Sequence, residues 1–106
     1  MRAGAWLAGR EPAAPPALAR RLADIIAATR VDDADLATGL VRAGEATVRE
    51  LLRDGCTTRD SALALLAADA LVTYACEAAA ESPAGLGAWA ASAMARIARI
   101  PVGTDA

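Results

Sequence analysis

Apolar residues recur at three- and four-residue spacing through most of the chain, the period of an α-helix. The longest such segment covers 58–81, TRDSALALLAADALVTYACEAAAE. Thr58 is a good N-cap, since its hydroxyl can accept a hydrogen bond from the first amides. Asp60 lies in the first turn, where the helix dipole favours a carboxylate. Neither Gly nor Pro interrupts the segment, which is mostly Ala and Leu, strong helix formers. At about 100° per residue, Leu63, Ala67, Ala70, Leu71, Tyr74 and Ala78 form one stripe. Leu65, Val72 and Cys76 form a second on roughly the opposite side, with Asp69, Thr73 and Glu77 in a polar arc between. A surface helix carries one apolar stripe; a helix with two is covered from two directions. Its covers are either two neighbours of its own chain or one from a second subunit.

Three further helices are expected. The first spans 16–29 and opens on Pro16, suited to the first helical position. Leu18, Leu22, Ile25 and Ile26 form its stripe, and Arg20 and Asp24 an outer i,i+4 pair. The second spans 33–54, with Leu36, Leu40, Val41, Val48, Leu51 and Leu52 facing inward. Gly44 falls on that stripe and permits another backbone to come close. Gly55 ends the helix as a left-handed cap. The turn to the 58–81 helix is short enough to make the two antiparallel neighbours. The fourth starts at Ser82-Pro83 and reaches about Arg99, presenting Leu86, Trp89, Ala90, Ala93, Met94, Ile97 and Ile100 on one face. Pro101 stops it.

These elements predict an all-α protein: an antiparallel four-helix bundle with a central, largely buried third helix. Residues 1–15 read as a flexible N-terminal arm, because prolines and glycines break its pattern and Trp6 and Leu7 are its only large apolar groups. Residues 16–101 are the bundle domain and 102–106 a C-terminal tail. A chain of 106 residues implies one domain.

Composition narrows the chemistry. Ala exceeds a quarter of the residues, and Phe, His, Lys, Asn and Gln are absent. No imidazole is available as base or metal ligand, and no lysine to form a Schiff base. The net charge of −2 and an aromatic content of 3% argue against nucleic acid, which calls for a basic face or stacking rings. Asp69, near the middle of the apolar helix, argues against a membrane span. Without a secretory signal, a cytoplasmic location is expected.

Candidate chemical groups have structural readings. Asp32, Asp33 and Asp35 crowd a helix start, where capping and the dipole account for them. They lack the ligand count and glycine of a calcium loop. Asp69, if buried, needs an arginine partner; Arg42, Arg49 and Arg96 are candidates. Cys56 precedes a helix but has no histidine to activate it. Cys56 and Cys76 lie too far apart along one helix for a disulfide, at about 27 Å. No catalytic set, cofactor motif or metal motif is present. The chain reads as a non-enzymatic interaction or structural module that self-associates, as a dimer, through an apolar helix face. The alternative is a small-ligand or effector-binding domain whose pocket lies between the third and fourth helices. Leu65, Asp69, Val72, Tyr74, Trp89 and Met94 are the candidate ligand or interface residues, with Leu66 as a further pocket wall.

Overall fold

The computed structural model describes residues 3–55 and 57–101, with Asp33 described by its backbone. Cys56, the tail 102–106 and the side chain of Asp33 therefore lie outside the described residues, and the expectations made for them are left there. The described chain is all-helical. Its elements are α1 (Ala3–Ala8), α2 (Pro16–Thr29), α3 (Leu36–Asp54), α4 (Arg59–Ala80) and α5 (Leu86–Ala98). Single 3₁₀ turns at Asp33–Asp35 and Pro83–Gly85 lead into α3 and α5.

The expected helix starts owe their positions to particular side chains. Asp32 Oδ1 accepts from the Ala34 amide at 2.9 Å, and Asp35 Oδ1 from the Thr38 amide at 3.3 Å. Thr58 Oγ1 accepts from the Ser61 amide at 3.0 Å, and Ser61 Oγ accepts from the Thr58 amide at 3.0 Å. That reciprocal pair satisfies two amides that a helix start otherwise leaves open. Ser82 makes no side-chain cap; the chain instead passes through the 3₁₀ turn before α5 begins. Gly55 closes α3 at φ +90°, donating its amide to the Leu51 carbonyl at 2.8 Å. A side chain is strained at that φ.

The closest helix pair is α3 with α4, which folds back as a hairpin. Gly44 sits near the middle of the contact. A Cβ built on it would lie 3.1 Å from Val72 Cγ2 and 3.4 Å from the Ala68 carbonyl oxygen. Close approach selects small residues, and the buried line of α4 is accordingly Ala64, Ala67, Ala68, Leu71, Ala75 and Ala79, with Ser61 at its start. Of the stripes expected from hydropathy, Ala67 and Leu71 are buried, while Leu63, Ala70, Tyr74 and Ala78 are half-buried. The second stripe is largely open: Leu65 and Cys76 are exposed, and Val72 is half-buried against α3. Hydropathy gives leucine more weight than alanine; interhelical distance reverses the order.

Leu22 of α2 joins Leu40, Val41, Ala67, Leu71 and Ala75 in the core, flanked by Leu18, Ile25 and Ile26. α5 is different. It packs lightly on α3 and α4, and none of its residues is buried. The segment expected to be an irregular arm contains a short helix, α1, which is docked on the core. Trp6 is 6% exposed and belongs to the core cluster. Helix formation is favourable there because a buried indole holds the segment, although six residues would not be helical alone. The prolines that suggested an arm are confined to the linker between α1 and α2 and the first residue of α2.

Candidate functional site

The outer arc of α4 is the first candidate region. At 100° per residue, Leu65, Leu66, Asp69, Thr73, Cys76 and Glu77 share the side away from the buried line. All six are exposed. Leu65 is 53% and Leu66 58% exposed, far more than leucines on a covered face. On α5, Met94 is 70% and Ile97 39% exposed; on α3, Leu52 is 46% exposed. Asp69 is exposed, so it needs no buried arginine. Two of the three arginines expected as its partner, Arg49 and Arg96, pair with Glu45.

That cluster ties α5 to α3. Arg96 Nη1 donates to Glu45 Oε1 at 3.1 Å, and Arg49 Nε donates to Glu45 Oε2 at 2.9 Å. Burial is the largest single influence on Glu45 and pushes its pKa up. The hydrogen bonds and charges of Arg96 and Arg49 together outweigh it, holding the carboxyl below its ordinary value of 4.5.

A second region surrounds Trp6. Its ring meets Tyr74 edge-on, with centroids 6.3 Å apart and planes at 86°. Trp6 Nε1 donates to Glu81 Oε2 at 3.2 Å. The Arg10 guanidinium lies 4.2 Å above the Trp6 ring, and its Nη1 is 3.6 Å from Glu77 Oε2. The Arg10 Nε is buried without a hydrogen-bond partner. Trp6 and Trp89 both wall an open cleft of about 410 Å³ beside the C-terminal end of α4. A smaller cavity, of about 260 Å³, lies between α1, the linker, α2 and Tyr74.

The six candidate residues from the sequence are therefore not gathered around one pocket. Leu65 and Asp69 face outward on α4, Met94 outward on α5, and Val72 lies at the α3 contact. Tyr74 faces the α1–α2 side, and Trp89 the cleft with Trp6. Leu66, the further pocket wall, is exposed on the outer arc. The Trp6–Arg10–Glu81 set was not legible, because it depends on a segment read as an arm. Glu45–Arg49 was legible in principle from its i,i+4 spacing. Nothing in the sequence marks Arg96 as its third member.

Among the described residues, no three Cys, Asp or Glu side chains gather as metal ligands. In the described contacts the threonine and serine hydroxyls bond to backbone groups or to one another. Among the described residues α4 is the one helix long and apolar enough to cross a membrane by length and composition, a test that core helices of soluble proteins also pass. No protein-family model matches the chain, and neither do any curated protein or any solved structure.

Proposed function

We propose that this protein is a non-enzymatic helical module that self-associates as a homodimer through the outer face of α4 and α5. The observation that carries this reading is α5, an apolar helix of 13 residues of which none is fully buried, Leu86, Trp89, Ala90 and Ala93 reaching only half-burial. An isolated helix of that length is marginal in water, and tertiary packing is what normally stabilises it. Beside it, Leu65 and Leu66 of α4 and Met94 and Ile97 of α5 leave large apolar groups in solvent. Burial of each such side chain contributes about 1.5–3 kcal/mol.

Total surface supports the same reading. The chain exposes 6914 Å² at a mass of 10.7 kDa. A compact monomer of this mass exposes about 5,500 Å². Leu65, Leu66, Met94 and Ile97 are among the large apolar groups exposed on that surface. A stable dimer covers about 800 Å² on each partner. Pairing through this face would shield the open flank of α4, making that helix central and completing an antiparallel bundle from two chains.

The test is thermal unfolding over a hundredfold range of protein concentration. The midpoint should rise with concentration, because association stabilises only the folded chain. Leu65→Glu with Met94→Glu should remove the dependence while leaving a helical monomer. A midpoint independent of concentration in the unmodified protein would refute the proposal.

A further inference from the structure

The geometry points to a second site, separate from the pairing face: a pocket for a small uncharged apolar molecule between α1 and α2. The cavity measures about 260 Å³. An apolar cavity of roughly 150 Å³ holds benzene, so this one admits a two-ring aromatic or a branched hydrocarbon of similar bulk. Its described walls carry no charged side chain. Leu7 of α1, Leu22 and Ile26 of α2 and Ala14 of the linker supply apolar surface, and Tyr74 supplies the one polar side chain among them. The walls offer an ionised ligand no counter-charge for the hydration it gives up on contact, which favours a neutral molecule over anions and cations alike. A neutral ring with a single N–H or O–H suits the walls, because the Tyr74 phenol can serve as donor or acceptor.

The construction of the walls explains why the space exists. Leu22 belongs to the core cluster, and Leu7, Ala14, Ile26 and Tyr74 pack against it, so this side is anchored. Trp6, one residue before Leu7, is fixed by its Tyr74 and Glu81 contacts. α1 is thereby held over α2 at a distance that the intervening alanines do not fill. Ala8, Ala13, Ala19 and Ala23 line the cavity where larger residues would close it. The ligand would complete the contact between α1 and α2, and occupancy would hold α1 more firmly in place.

The experiment uses the full chain, carbon-13 labelled at Leu and Ile methyls, titrated with indole and followed by NMR. Saturable shifts are expected at the methyls of Leu7, Leu22 and Ile26, with Leu52 and Ile97 unmoved. Saturation should fall in the millimolar range or below, the affinity expected of a ligand with so few atoms. Indole-3-acetate should bind more weakly than indole. Ala14→Phe, which fills the cavity from the linker, should weaken binding about tenfold or more by removing the space. Gly4→Leu is the second variant: a Cβ at Gly4 meets nothing within 4 Å, so the fold accepts it while the side chain obstructs the same cavity. The same titration of Leu65→Glu should give unchanged shifts, because that substitution affects the pairing face alone. Absence of saturable shifts at Leu7, Leu22 and Ile26 would overturn the assignment. So would unaltered binding in both filled variants, or tighter binding of the indole-3-acetate anion.

Discussion

Leu40 and Leu71 are the largest fully buried side chains, and both belong to the core cluster. In so small a core, Leu71→Ala should cost about 3 kcal/mol, from lost burial and the cavity left behind. Equilibrium urea unfolding measures it. Gly44 is the complementary case. A methyl there gains about 1 kcal/mol of helix propensity but presses on Val72, so Gly44→Ala should be nearly neutral. Gly44→Leu must force the helices apart and should cost more than about 2 kcal/mol. Glu45 makes a different prediction. Its carboxyl titrates lower in the folded chain than in the unfolded one. Its stabilisation is therefore complete above the unfolded pKa and is lost as pH falls through the folded one. Glu45→Gln should lower stability at pH 7 by roughly 1 kcal/mol and flatten the stability curve on the acid side of the ordinary value of 4.5. Equal slopes in the two proteins would contradict the assignment. Some of this residue-scale detail could be read before the fold was known: Thr58 as cap, Gly55 as terminator, Gly44 as a point of close approach. The Arg96–Glu45 contact could not, because its 51-residue separation leaves no local signature.

At the scale of elements, strong punctuation and good propensity made α2, α3, α4 and α5 legible to within a few residues. Ala-rich segments bounded by Thr, Asp, Gly and Pro have few alternatives to a helix. What failed was the orientation of α4. Its leucines dominate any hydropathy pattern, yet apart from Leu71 the hairpin buries mainly its alanines, which allow α3 to come close. The other failure was α1. Its helix exists because Trp6 has a place to dock, a tertiary cause that no local rule contains. Trp6→Ala should therefore act on an element and not only on a contact. Loss of the indole should cost about 3 kcal/mol and melt α1, while α2 through α5 keep their helicity. Amide hydrogen exchange of residues 3–8, compared with that of α4, reads this directly. Protection of α1 unchanged by the substitution would show that Trp6 is not its anchor.

For the whole molecule, the radius of gyration of 13.8 Å exceeds the roughly 13 Å of a compact domain this long, and the extents of 41 × 33 × 22 Å are flattened. A helical hairpin with α2 packed on it and α5 only lightly attached accounts for that shape. The pocket expected between the third and fourth helices has a partial counterpart: the open cleft is walled by Ala78 and Ala79 of α4 and Trp89 of α5, and Trp6 of α1 forms a further wall. Both the cleft and the smaller cavity use α1 as a wall, which the pattern did not offer. The apolar surplus in the sequence was legible. Its location, on Leu65, Leu66, Met94 and Ile97, required the fold. Sedimentation equilibrium of the unmodified chain from about one to several hundred micromolar, a range spanning ordinary homodimer affinities, tests the central claim most directly. The account predicts a mass rising from 10.7 kDa to twice that value, with Leu65→Glu, Met94→Glu held at the lower one. A single mass of 10.7 kDa across the whole range would contradict it.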